Sequence, residues 1–197
     1  MNYDNGSLRL GSGNVDYRLD GQGRGHVVLL HGRNSHSGTW RKNFPALVER
    51  NLVFAPTLPT RQGTLSPGTI ADYAECVAEA AGELGISDAA VVGNSMGGWV
   101  AMRLALLYPR MFSRLVLEDT AGAESEEAGS LERASVPTMI VWGEHDSILG
   151  VGVGRQLHSR FSGSSFELVK GVGHVPHWER PEEFNRLLNA YLNLRAR

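Results

Sequence analysis

The sequence predicts an α/β fold, a mostly parallel sheet with helices on both faces, from three observations. Short apolar runs recur along the chain, and most are continuous rather than alternating, the pattern of strands covered on both sides. Helical periodicity fills intervals between them, so strand and helix alternate. The residues able to do chemistry fall just past the ends of the runs, where ligand sites of open parallel sheets lie.

The elements follow in order. "LRLGSGNVDYRLDG", residues 8–21, alternates weakly and predicts an antiparallel hairpin at one sheet edge. "HVVLLH" (26–31) and "LVFAP" (52–56) are the first two continuous runs. "TIADYAECVAEAAGELG" then places Ile70, Tyr73, Val77, Ala80, Ala81 and Leu84 on one helical face, with Thr69 and Asp72 spaced as a cap and its partner and Gly85 as the stop. "AAVVGN" (89–94), "RLVLED" (114–119), "TMIVWGE" (138–144) and "FELV" (166–169) supply four more strands. "RPEEFNRLLNAYLNL" opens with Pro181 and two acids, then sets Phe184, Leu187, Leu188 and Tyr191 on one stripe. Residues 121–135, "AGAESEEAGSLERAS", are small and acidic and read as a polar connection between two strands.

With 197 residues and no repeat, low-complexity tract or linker, residues 1–197 are expected to form one domain. The net charge of −2 and the short, interrupted basic clusters argue against a nucleic-acid partner. No apolar stretch approaches the ~18 residues that span a bilayer, and the start lacks the regions of a signal peptide, so no membrane span and a cytoplasmic location are expected. The one cysteine, Cys76, falls on the apolar side of a helix and reads as core packing. Neither G-x-G-x-x-G nor a phosphate-binding G-x-x-x-x-G-K-[ST] loop occurs, so no cofactor is implied. "HVPH" spaces two histidines but precedes Pro181 in a loop, without Cys pairs or H-E-x-x-H, and no metal is expected there.

Past the strand ends stand His31-Gly32-Arg33, Ser95, Glu118 and Asp119, Asp146, and His174. "GNSMGG" puts Ser95 at a strand-to-helix turn, where Gly93 and Gly97 leave room for a sharp backbone and the Met96 amide opens a helix. A serine hydroxyl needs a base, and His174 in "GVGHVPHW" is the candidate. An acid must orient that imidazole, and Asp146 in "WGEHDS" follows a strand in the order Ser, Asp, His. Asp119 is the rival acid and His177 the rival base. Glu118 is expected to point away, His145 to be structural or solvated, and His36 and Trp40 to line the entrance or pack at the surface.

In sequence order, "HGRN", "GNSMGG", "WGEHD" and "GVGHVPHWERPEEF" resemble the oxyanion loop, nucleophile elbow, acid turn and histidine loop of the α/β-hydrolase fold superfamily, over nearly the whole chain. The resemblance implies Ser95 as nucleophile, Asp146 as acid, His174 as base, the amides of Met96 and Arg33 as oxyanion hole, and His31 as a shaper of that loop. The implied reaction is acyl transfer to water through an acyl-serine, on small-molecule carboxylic esters or lactones. "GNSMGGW" is also similar to hydrolases that cleave carbon–carbon bonds in ring-fission products; a perhydrolase side activity and a non-catalytic ligand-binding role are further alternatives. Many relatives insert a helical cap where this chain has only residues 121–135, so the cap is expected to be absent or minimal. The site is then open unless "HGRNSHSGTW", "TLPTRQGTLSPG" or another subunit of a homo-oligomer roofs it.

Overall fold

Eight strands make one sheet in the computed structural model, which describes residues 4–11, 13–58, 69–134 and 136–194. In chain order they are β1 (Asp4–Leu10), β2 (Gly13–Asp20), β3 (Gly25–Leu30), β4 (Asn51–Pro56), β5 (Ala89–Asn94), β6 (Phe112–Glu118), β7 (Thr138–Gly143) and β8 (Ser165–Val169). Across the sheet the order is β1-β2-β4-β3-β5-β6-β7-β8. β1 and β2 pair antiparallel and β2 joins β4 antiparallel, so the weakly alternating hairpin is indeed the sheet edge. Every pairing from β4 to β8 is parallel. β5 and β7 are buried along their whole length, which is why they read as unbroken apolar runs.

The helices are α1 (Phe44–Leu47), α2 (Ile70–Glu83), α3 (Met96–Leu107), α4 (Glu126–Ala134), α5 (Val151–Arg160), α6 (Pro176–Glu179) and α7 (Pro181–Leu192), with a 3-10 turn at Ser37–Lys42. α2 starts with the reciprocal Thr69–Asp72 capping box. It stops at Gly85, whose φ of 68° precedes an Ile86 N–H to Ala81 carbonyl bond of 2.9 Å.

Alternation along the strands feeds two cores. Val28, Leu30, Val91, Leu117, Ile140 and Trp142 pack on the side of α2 and α3. Val27, Leu29, Val92, Val116 and Val141 meet Trp40, Phe44, Leu47, Phe184 and Leu188 on the side of α1 and α7. Each such side chain contributes about 1.5–3 kcal/mol on burial, so both faces must be covered for the parallel strands to exist.

The acidic stretch differs from its expected form: it contains α4, the crossover from β6 to β7. Ala128 and Leu131 give α4 a small buried stripe. Glu127 accepts Trp99 Nε1 at 3.0 Å and Arg103 at 3.2 Å, docking the helix on α3. One helix of 9 residues is what the described part of this connection holds, so a cap is minimal or absent. "TLPTRQGTLSPG" lies outside the described residues beyond Leu58. Among the described residues, no helix is long and apolar enough to cross a membrane.

Candidate active site

Ser95 stands between β5 and α3 with φ 54° and ψ −117°, a conformation that non-glycine residues rarely adopt. The surroundings enforce it. Ser95 N–H donates to the Glu118 carbonyl at 3.0 Å, and the Ser95 carbonyl accepts from Gly98 and Ala121, each at 3.0 Å. A methyl group at Gly93 would collide with the Gly97 carbonyl, and one at Gly97 with the Leu30 carbonyl. Both flanking glycines are therefore demanded by close backbone approach, as the tight turn implied. The N–H groups of Met96 and Arg33 donate to no partner among the described residues, and Met96 opens α3, where negative charge is favoured.

Asp146 sits in the turn after β7. Its Oδ1 accepts the Ile148 and Leu149 amides at 2.8 and 3.0 Å, and its Oδ2 lies 2.7 Å from His174 Nδ1. The two side chains are 0% and 14% exposed. Burial pushes the Asp146 carboxyl upward, but hydrogen bonds, first from His174 and then from the Leu149 and Ile148 amides, outweigh it and hold the group below the usual carboxylate range. With Nδ1 donating to the carboxylate, Nε2 is left to accept a proton.

Asn94, the residue before Ser95, donates through Nδ2 to the His174 carbonyl at 3.0 Å. Sequence reasoning passed over this tie, whose signal is the asparagine inside "GNS". No hydrogen bond joins Ser95 Oγ to His174 among the described residues; such contacts commonly tighten only with substrate.

Asp119 does not bond His174 but lies beside the pair. It is fully buried, its φ is 41°, and its Oδ1 accepts the Gly143 amide at 3.0 Å. Burial first, then the neighbouring charges of Glu118 and Asp146, push its carboxyl up to about 10. Ligand-capable atoms of Asp119, Asp146 and His174 lie within 4.8 Å of one another. A divalent cation there would have to compete with the Asp146–His174 bond.

The remaining histidines separate by environment. His31 is fully buried, lies with Nδ1 2.7 Å from the Gly32 carbonyl, and accepts the Leu58 amide through Nε2 at 2.8 Å. Burial holds it down at about 4, so it is neutral and links the loop carrying Arg33 to the end of β4. The side chain of His145 is 69% exposed. His177 is buried, with its N–H and Nδ1 on Glu118, and stacks on Trp40 at 3.8 Å between centroids. Trp40 is therefore core, not entrance lining. His36, Thr39, Arg41, Val175 and Trp178 border a cavity of about 390 Å³ beside the His174 loop, and Ser95 does not line it.

A profile described as the Alpha/beta hydrolase family matches residues 27–128, and the chain belongs to that family. A structure of a predicted CIB-like hydrolase from Thermoplasma acidophilum superposes with a TM-score of 0.87 at 26% identity, over 98% of this chain and 100% of that one. A carboxylesterase from Bacillus subtilis gives 0.86 at 19% identity over 98% and 92%. A 2-hydroxy-6-oxononadienedioate/2-hydroxy-6-oxononatrienedioate hydrolase from Pseudomonas sp is 21% identical over 261 aligned positions, 92% of each chain. The chain spans 36% of the length of the uncharacterized Mycobacterium proteins it matches at 31% identity.

Proposed function

We propose that this chain is a serine hydrolase of small carboxylic esters or lactones, with Ser95 as nucleophile, His174 as base and Asp146 as the acid that orients it. The observation that carries the reading is the 2.7 Å bond from His174 Nδ1 to a buried Asp146, on the rim where Ser95 is held at positive φ. Ser95 Oγ attacks the ester carbonyl carbon as its proton passes to His174 Nε2. The oxyanion forms against the amides of Met96 and Arg33, each worth about 3 kcal/mol in the transition state. Collapse breaks the carbonyl–alkoxy bond, and the alcohol leaves with the proton from His174. Water then attacks the acyl-serine, gives its proton to His174, and the acid departs as Ser95 regains its hydrogen.

Similarity to the Pseudomonas hydrolase favours a second reading, carbon–carbon bond hydrolysis. Against it, the described β6–β7 connection offers one short helix, and an open site suits accessible esters better than chemistry in a dry chamber. The test is a panel of p-nitrophenyl esters of graded acyl length beside a vinylogous diketone, with wild type and Ser95→Ala, plus a fluorophosphonate label. The reading expects Ser95-dependent labelling and ester turnover. Wild-type rates in Ser95→Ala would overturn it, and faster diketone than ester cleavage would select the second reading.

A further inference from the structure

We propose that Asp119 is a neutral carboxylic acid whose O–H donates to Asp146, making it a positioning residue for the carboxylate that orients His174. In its kinetic arm this rests on the serine-hydrolase reading; in its stability arm it does not.

The geometry leaves few alternatives. Asp119 Oδ1 is occupied by the Gly143 amide at 3.0 Å. Its Oδ2 is buried and, as a carboxylate oxygen, has no partner among the described residues. A buried unpaired oxygen is costly, and the same oxygen protonated becomes a donor in a cluster that holds the Asp146 carboxylate. Both aspartates lie in one cluster with His174, within 4.8 Å, and two carboxylates so placed do not both ionise readily.

The proton belongs on Asp119 rather than Asp146 because their partners differ. Asp146 receives two backbone amides and an imidazole, all favouring its charge. Asp119 receives one amide and lies near the charge of Glu118, the residue before it at the end of β6, and near Asp146 from the turn after β7 and His174 from the loop after β8. Glu118 is itself engaged with His177. Parallel pairing of β6 with β7 brings the two turns together, and the Asp119 side chain reaches across to the Gly143 amide at the end of β7, with its own φ at 41°. Aspartate and asparagine both tolerate that backbone, so asparagine can replace the acid with an oxygen for Gly143 and an N–H for Asp146.

The experiment compares wild type, Asp119→Asn and Asp119→Leu by thermal unfolding from about pH 5 to about pH 9 and by kcat and KM on p-nitrophenyl acetate. A folded chain that keeps a proton its unfolded form releases loses stability as pH rises. Wild type is therefore expected to fall progressively behind Asp119→Asn as pH increases. Asp119→Asn keeps kcat close to wild type, whereas Asp119→Leu loses about 10- to 100-fold in kcat with KM little changed, the rate equivalent of one hydrogen bond to a charged group. Parallel stability curves for wild type and Asp119→Asn would overturn the protonation. Equal kcat in all three, or equal losses in both variants, would overturn the positioning role. Failure of the hydrolase reading shows separately, as full turnover by Ser95→Ala, and the stability curves still report on Asp119.

Discussion

His177 Nδ1 lies 2.7 Å from Glu118 Oε2 with the two side chains 1% and 0% exposed, so a second imidazole–carboxylate pair sits beneath the site. Glu118 also accepts the His177 amide at 2.6 Å, while His177 Nε2 lies 3.1 Å from Thr39 Oγ1. The pair thus joins the end of β6, the start of α6 and the 3-10 turn, and α6 follows the loop that carries His174. Glu118→Ala strands two buried donors and is expected to cost about 3–5 kcal/mol, the usual penalty for breaking a buried pair. Urea midpoints measure it. A loss under about 1 kcal/mol would mean that the pair holds nothing in place.

Stability should also carry the signature of His31. Its folded value of about 4 lies below the ordinary 6.5, chiefly through burial. The unfolded chain therefore binds a proton as pH falls through 6.5 while the folded chain binds none until about 4. Stability is lost across that window as pH drops and levels off below it, by about 3 kcal/mol in all. Urea unfolding of wild type and His31→Gln across the window isolates the effect: the wild-type slope should exceed that of the variant, and identical slopes would rule it out.

Gly97→Ala tests the elbow without touching a polar group. The added methyl meets the Leu30 backbone carbonyl, which cannot rotate away as a flexible side chain could. The expected cost is about 1–3 kcal/mol, together with reduced turnover, because β3 and α3 must separate and take Ser95 with them. Unchanged melting temperature and kcat would show that the backbone contact tolerates a side chain.

How far the chain could be read in advance follows from which signals are local. β5 matches its run residue for residue, because a strand buried on both faces is apolar along nearly all of its length, here up to Asn94 at its end. The Thr69–Asp72 box and the Gly85 stop of α2 are equally local chemistry. α5 gives little signal because Gly152 and Gly154 dilute its periodicity, and α4 because only Ala128 and Leu131 are buried. The anchors of α4 are Trp99 and Arg103, distant in sequence. Asp119 and Asp146 were visible as competing acids, but their cooperation depends on β6 and β7 being neighbours. Likewise "HVPH" displays His177 as a rival base, while its true partner, Glu118, lies at the end of another strand.

Asp146→Asn separates electrostatics from geometry at the proposed acid. The Ile148 and Leu149 amides both point at Oδ1, at 2.8 and 3.0 Å, so they will hold the oxygen of an asparagine there. Its NH₂ then faces His174 at the 2.7 Å position now occupied by Oδ2. An amide donor in that place forces Nδ1 to become the acceptor and moves the imidazole proton to Nε2, where it can no longer receive hydrogen from Ser95. Folding should survive, since shape and two of the hydrogen bonds are kept, but kcat should fall on the order of 10⁴-fold. Rates on p-nitrophenyl acetate, normalised to folded protein by circular dichroism, give the measurement. A drop of less than about tenfold would show that the imidazole does not depend on Asp146 for its tautomer.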